Sequence, residues 1–217
     1  MTTMAILSMA LGVKTAVPVV AGLALVVNGS LLIRFRRSFP LREAAPLLLA
    51  ALTTIPLGVF ALSALPTDRL LLALGCLLVV YVGWALTRRE LPAALGPRAG
   101  VALGLLSGTL GGAFSAAGPP AVVWVTSQPW DSRQLRATLV GLFALGGLLQ
   151  VPLLARAGLV DGASLLLSAI AIPTAWVGTQ VGAALGDRVP QEHFRRLMLA
   201  GLGVLALTFI GRGVSGG

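Results

Sequence analysis

The stretch GVALGLLSGTLGGAFSAAGPPAVVWVTS, residues 100–127, decides the fold of this chain. It carries no charged side chain and is longer than the roughly 20 apolar residues that cross a bilayer as a helix. Glycine recurs at every fourth position from Gly100 to Gly112, which places the glycines on one helix face and permits close packing. Gly118 and the prolines after it then interrupt the stretch, so we predict a broken or re-entrant segment at 100–127. The helix start after such a break exposes N–H groups and a positive dipole end, which favour an anion.

The composition of the whole chain places this segment in a membrane. Of the 217 residues, 57% are hydrophobic and 11% are charged, and the mean hydropathy is +0.94. A soluble domain is about a quarter charged, because its surface must be hydrated. The composition therefore indicates an integral membrane protein and excludes a soluble enzyme, a DNA-binding module and a disordered scaffold. The net charge of +9 comes from basic residues that separate apolar runs. This pattern indicates the membrane topology of the chain, and it does not indicate a nucleic-acid partner.

The charged residues divide the chain into about seven apolar segments. This pattern predicts an all-α, polytopic transmembrane helical bundle that forms a single domain, residues 1–217. The segments lie at about 4–33, 44–65, 70–86, 100–127, 137–155, 162–186 and 197–211.

The segments fall into two related sets, which indicates an internal duplication. Three polar positions recur with the same spacing, displaced by 122 residues: Lys14, Asn28 and Arg34 in the first set, and Arg136, Gln150 and Arg156 in the second. We predict a first repeat at about 1–87, a link at 88–98 and a second repeat at about 99–217. The first repeat lacks a counterpart of the opening glycine-rich segment, so either the chain is a shortened variant or its true start lies upstream of Met1.

The distribution of basic residues bears on the path of residues 100–127. If the segment crosses the membrane once, the two sides hold nine and seven basic residues. If it enters and leaves on the same side, the division becomes twelve against four. Because cytoplasmic loops carry an excess of Lys and Arg, the hairpin is favoured and the two repeats are then inverted. Inverted repeats place a substrate site near mid-membrane between them.

The run from Gly104 to Gly118-Pro119-Pro120, followed by Arg136-Ala137-Thr138, resembles the second repeat of the sulfite exporter TauE/SafE family. The resemblance covers roughly residues 10–211. It implies a multi-pass secondary transporter of the bacterial inner membrane that moves sulfite, organosulfonates or related small anions. It also implies two homologous four-segment halves, although the glycine-rich turn of the first half has no match in this chain.

The candidate substrate site is the break itself. Backbone N–H groups around Ser115 to Gly118 are expected to form an anion-binding nest, because such donors need no buried counter-charge. Arg136 is the candidate cationic attractor, with an interfacial anchor as the alternative. Asn28 and Gln150 lie inside spans, where an amide contacts either the substrate or a neighbouring helix. The candidate substrate-binding residues are Gly111, Gly112, Ser115, Gly118, Pro119, Pro120, Arg136, Thr138, Gln150, Lys14 and Asn28; the resemblance assigns the turn to Gly111, Gly112, Gly118, Pro119 and Pro120.

Catalysis and cofactors have no support in the sequence. The single Cys76 and the single His193 leave no disulfide framework or metal cluster, and no nucleophile and base are grouped within a span. We therefore predict no catalytic residue, no metal, no cofactor and no enzymatic activity.

Acidic residues restrict the transport mechanism. All seven fall at span ends or in loops: Glu43, Asp68, Glu90, Asp131, Asp161, Asp187 and Glu192. A proton antiporter usually needs a titratable group at membrane depth, and none is predicted. An inside-negative potential drives an anion outward by about 2.3 kcal/mol per charge per 100 mV, so we expect export.

A second class of function stays open at this point. The chain could be a non-transporting membrane assembly or interaction protein whose glycine-rich helix docks a partner. The partners expected for either class are the lipid bilayer and, for a transporter, a small anionic substrate; a homodimer is the oligomer to be tested.

Overall fold

The structure, a computed structural model, describes residues 7, 11–87, 95–162, 164–174 and 191–215. Every long regular element in these ranges is an α-helix. The helices are α1 (Val13–Phe35), α2 (Leu41–Ala64), α3 (Thr67–Thr87), α4 (Pro97–Phe114), α5 (Gly118–Ser127), α6 (Ser132–Arg156), α7 (Ser164–Thr174) and α8 (Gln191–Ser215). A single 3-10 turn, Arg36–Ser38, leads from α1 towards α2.

Among the described residues, four helices are long and apolar enough to cross a membrane. They are α1 together with the turn after it, α2, α3 and α6. The remaining apolar helical stretches of the described chain are shorter, at Ser164–Thr174 and Ala200–Val214. The all-helical fold is therefore confirmed, whereas seven segments in two repeats stay a prediction. The second half of the predicted sixth segment, residues 175–186, lies outside the described residues.

Helices α4 and α5 form a hairpin that folds back on itself. Near the bend, the hydroxyl of Ser107 donates to the carbonyl oxygen of Ala117 at 2.6 Å. At the open ends, the side-chain amide of Gln128 donates to the carbonyl oxygen of Leu95 at 3.0 Å. The first and last residues of the hairpin therefore lie side by side. The break falls at residues 115–117, where the segment turns back on itself; a re-entrant path in the membrane stays a prediction.

The glycine stripe of α4 packs directly on α2. A Cβ on Gly104, Gly108 or Gly112 would collide with backbone carbonyl oxygens of α2, whereas a Cβ on Gly100 would meet the ring of Trp124 in α5. The contacts run in the same order along both helices, from Gly104 at Leu47 through Gly108 at Ala51 to Gly112 at Ile55. Helices α2 and α4 are therefore parallel and unusually close, since only glycine leaves room for the facing backbone.

Helices α1 and α6 pack in opposite directions. Leu25 lies against Gly147 near the middle of both helices, and Arg34 at the end of α1 shares a pocket with Arg136 near the start of α6. Helices α3 and α8 are antiparallel as well, because Gly75 lies at Ile210 whereas the earlier residue Leu72 lies at Gly213. The predicted duplication matches α1 with α6 and α3 with α8, so each matched pair packs head to tail, as inverted repeats do.

Basic side chains concentrate at one end of the bundle, which we name the basic end. It holds the end of α1, the start of α2 and the open side of the hairpin; there Trp130 donates to a carboxylate oxygen of Glu43 at 2.7 Å. The basic residues of this end whose side chains the structure describes are Arg34, Arg36, Arg37, Arg42, Arg98, Arg133 and Arg136. Those of the opposite end are Lys14, Arg69, Arg156 and Arg212.

Candidate functional site

A cavity of about 360 Å³ lies where the break between α4 and α5 meets α1, α2 and α6. We name it the central cavity, because its walls come from the middle of α6 and the middle of α1. Five of the candidate residues line it: Asn28, Gly111, Ser115, Gly118 and Gln150. No charged side chain is among its described walls. Any charge that enters it must therefore be stabilised by dipoles.

Gln150 holds the end of α4 in place. Its side chain is only 6% exposed, and its amide nitrogen lies 2.8 Å from the carbonyl oxygen of Gly111 and 3.1 Å from the hydroxyl of Ser115. The carbonyl oxygen of Gly112 is also within reach, at 3.3 Å. The last carbonyls of a helix lack intrahelical partners, and here an amide from α6 supplies one. Gln150 thus bonds a neighbouring helix and also lines the cavity; its contact with a substrate stays a prediction.

Ser115 turns the chain out of α4. It has a left-handed backbone, with φ of 49° and ψ of 34°. Its N–H donates to the carbonyl oxygen of Gly111 at 2.8 Å, and the N–H of Ala116 donates to that of Leu110 at 3.3 Å. These two N–H groups close the helix and are occupied, so they are not free to hold an anion.

The next two N–H groups are different. Among the described residues, no hydrogen-bond acceptor is found for the N–H of Ala117 or of Gly118, and both residues line the central cavity. Gly118 is the first residue of α5, and Pro119 and Pro120 behind it have no N–H. The positive end of the α5 dipole, with two unpaired donors, therefore adjoins a cavity without charged walls, an arrangement that favours anions.

Asn28 lines the central cavity from α1. Its side-chain nitrogen donates to the carbonyl oxygen of Ala24, one turn earlier in the same helix, at 2.8 Å. Asn28 and Gln150 are the amide pair of the predicted duplication, and the structure brings both to one cavity.

Several candidate residues lie elsewhere. The ammonium group of Lys14 donates to the carbonyl oxygen of Ser63 at 3.4 Å, near the end of α2, where a cation is favoured. Thr138 is fully buried and donates to the carbonyl oxygen of Gln134 in its own helix. Gly112 packs on α2. Pro119 and Pro120 are not among the walls of the central cavity.

Arg136 lies in a second pocket, of about 340 Å³, at the basic end. We name it the arginine pocket; its walls are Arg34, Phe35, Ser38, Ser132, Arg133 and Arg136. The side chain of Arg136 is exposed there and is not among the walls of the central cavity.

The apolar walls of the central cavity were not predicted from the sequence. Phe143 and the pair Gly146 and Gly147 contribute them from α6. A Cβ on Gly147 would come within 3.2 Å of Leu25, so Gly147 allows α1 to approach, whereas Gly146 faces Ile55 of α2. The adjacent glycines inside a predicted span could have indicated a close helix contact. No feature of the sequence indicated that Phe143 lines the cavity.

Acidic side chains of the described chain stay at helix ends. Glu43 and Asp68 lie in the first turns of α2 and α3, and Asp131 is the N-cap of α6. Asp161 precedes α7, where hydrogen bonds from the side chain and backbone of Ser164 hold the pKa of its carboxyl below the ordinary value. Within the described ranges, no three His, Cys, Asp or Glu residues come together as metal ligands would.

Together these features define a class of protein: a polytopic helical membrane protein with a helical hairpin whose broken end adjoins a cavity between antiparallel helices. The family is shown by comparison of sequences, since the family model of the sulfite exporter TauE/SafE family matches residues 1–209. The chain belongs to that family.

A curated relative comes from Cupriavidus necator and is named "Probable sulfite/organosulfonate exporter TauE". It is 26% identical over 169 residues, which are 75% of this chain and 66% of the relative. The chain thus matches just under two thirds of the length of that relative. No solved structure matches this chain.

Proposed function

We propose that this protein is a secondary transporter that exports sulfite, organosulfonates or related small sulfur-containing anions across the bacterial inner membrane. Membership of the TauE/SafE family and the name of the relative support the substrate class. The central cavity supports an anion pathway, because it combines an uncharged lining with free backbone donors part-way through the bundle.

The observation that carries the proposal is the pair of unpaired N–H groups at Ala117 and Gly118. An anion that leaves water needs donors in exchange for its hydration shell, and hydrogen bonds to a charged group contribute about 1.5–3 kcal/mol each. Fixed N–H dipoles supply this without a buried cation, so the anion is held weakly enough to leave again.

The driving force follows from the charges. The described carboxylates lie at helix ends, so proton coupling has no group at depth among them. The membrane potential alone moves an anion outward with about 2.3 kcal/mol per charge per 100 mV. Among the basic residues whose side chains the structure describes, seven lie at the basic end and four at the other, an excess that supports a cytoplasmic location for the basic end.

The competing function, a membrane assembly protein that docks a partner through its glycine stripe, has lost its main support. The stripe is covered by α2 and by Trp124 of the same chain. A surface already filled within the chain offers nothing to a second protein.

The proposal is tested with purified protein in liposomes that are loaded with sulfite and given an inside-negative potential. Protein-dependent efflux that grows with the potential and is inhibited by external sulfonates is expected. Efflux no faster than from protein-free liposomes, for sulfite and for a panel of sulfonates, would refute transport by this chain.

A further inference from the structure

Three arginines from two helices line the arginine pocket. Arg34 belongs to the last turn of α1, whereas Arg133 and Arg136 lie in the first turns of α6. Ser38 and Ser132 line the same space. Guanidinium groups present several N–H donors in a planar fork that matches the oxygens of sulfonate, sulfite and phosphate groups.

Nothing within the described part of the chain neutralises the positive charge of the pocket. Among the described residues, no ion pair is found for Arg34, Arg133 or Arg136. Asp131, the acidic residue nearest in sequence, accepts a hydrogen bond from the N–H of Gln134 at 2.7 Å as the N-cap of α6. The start of α6 adds the positive end of its dipole to the same region.

The pocket also lies in line with the central cavity, because both are formed between α1 and α6. On α1, Asn28 of the cavity precedes Arg34 of the pocket by six residues, a rise of about 9 Å. On α6, Phe143 of the cavity follows Arg136 by seven residues, a rise of about 10 Å. No charged residue intervenes on either helix.

We propose that the arginine pocket is a second oxyanion subsite, which captures free sulfite or the sulfonate group of an organic anion at the basic end before it enters the central cavity. The role as an entry subsite rests on the proposed export function; binding of an oxyanion in the pocket does not. A lipid phosphate offers the same chemistry, so the test must separate the two sources.

Direct binding tests the pocket without transport. Sulfite is titrated calorimetrically into detergent-purified protein against sodium chloride of equal ionic strength. The pocket variant Arg133→Gln with Arg136→Gln is compared with a control, Arg36→Gln with Arg37→Gln, which removes the same charge at the same end outside the pocket. We expect sulfite affinity to fall by about tenfold or more in the pocket variant, as loss of charge-assisted hydrogen bonds predicts, and to change little in the control.

A second variant isolates the pocket from the central cavity. Gly118→Leu fills the central cavity, since the nearest atom to a Cβ there is the ring carbon Cζ of Phe143 at 3.8 Å. Pocket binding should persist in Gly118→Leu and disappear when the two arginine substitutions are added. In liposomes of neutral lipid, the pocket variant should raise the half-saturating sulfite concentration while keeping the maximal efflux rate.

The outcomes are distinguishable. Equal loss of affinity in the pocket variant and the control, or a flux effect confined to liposomes that contain anionic lipid, would overturn the subsite. Pocket-dependent binding without any efflux would support the subsite and refute the proposed function. Efflux without pocket-dependent binding would support the proposed function and refute the subsite. If the double variant does not fold, Arg133→Gln and Arg136→Gln are measured singly against Arg36→Gln.

Discussion

Ser115 is the one residue other than glycine with a positive φ in the part of the chain that the structure describes. A left-handed backbone costs an L residue about 1–2 kcal/mol, and this cost is placed at the turn that opens the central cavity. The hydroxyl of Ser115 lies 3.1 Å from the side-chain nitrogen of Gln150 and 3.5 Å from the carbonyl oxygen of Val17. It therefore links the end of α4 to α6 and α1.

This backbone conformation predicts an order of stability. Ser115→Gly and Ser115→Ala both remove the hydroxyl, but only glycine relieves the strain. We expect Ser115→Gly to be more stable than Ser115→Ala by about 1 kcal/mol in thermal unfolding of the detergent-solubilised protein. Equal stability of the two variants would show that Ser115 is not left-handed.

Gln150 supports a second prediction at this scale. Gln150→Met keeps the length of the side chain and removes its hydrogen bonds to α4, so we expect a loss of about 1–2 kcal/mol of stability. Leu149→Met, a conservative change at the neighbouring position, is the matched control. A Gln150→Met variant as stable as Leu149→Met would contradict the bonding described here.

Individual residues were predictable where polarity was the signal. Amides inside apolar spans pointed to Asn28 and Gln150, and both line the central cavity. The cations at matching positions behave differently, because Lys14 reaches the end of α2 while Arg136 faces the arginine pocket. Spacing along one helix does not reveal how that helix is rotated or which helix lies beside it.

At the scale of elements, the hairpin of α4 and α5 is held by close packing. Gly108 sits so near α2 that a Cβ would collide with the carbonyl oxygen of Ala51 and the hydroxyl of Thr54. Trp124 fills the space between the two arms and is 2% exposed. The hairpin therefore docks as a unit.

The docking predicts a sharp contrast between two glycines. Gly108→Ala should destabilise the protein by about 1–3 kcal/mol or more, because the backbone of α2 cannot move aside. Gly83→Ala, in α3 with nothing within 4 Å of the added Cβ, should leave stability unchanged or raise it by up to about 1 kcal/mol. Both are measured by thermal unfolding, and a similar effect of the two substitutions would contradict the parallel contact of α2 and α4.

The break in residues 100–127 was predictable from glycine and proline chemistry. The partner of the glycine stripe was not, because the stripe fits any smooth helix face. Its position on α2 follows from contacts such as Gly112 at Ile55, which are remote in sequence. The anion-binding N–H groups were also predicted only in part. Two of the four expected donors, those of Ser115 and Ala116, bond carbonyl oxygens at the end of α4 instead.

At the scale of the whole molecule, the hairpin fixes the sidedness of the chain. Both of its ends lie at the basic end, where Gly96 and Pro129 are exposed. In a Cys76→Ser background, Gly96→Cys and Pro129→Cys should both react with an impermeant maleimide from the cytoplasmic face. Reaction from opposite faces would mean that residues 100–127 cross the membrane once.

The duplication remains a prediction, and the antiparallel pairs α1 with α6 and α3 with α8 support it. It was visible in the sequence because polar positions recur inside apolar spans. The packing partners were not visible, because leucine-rich helices are interchangeable by composition.

The central claim is that the free N–H groups at the start of α5 carry the anion through the central cavity. The most direct test compares initial sulfite efflux from liposomes with equal amounts of folded wild type, Gly118→Leu and the control Gly83→Leu. We predict efflux from the wild type and Gly83→Leu and none above background from Gly118→Leu. Efflux from Gly118→Leu at the wild-type rate would contradict a pathway through the central cavity.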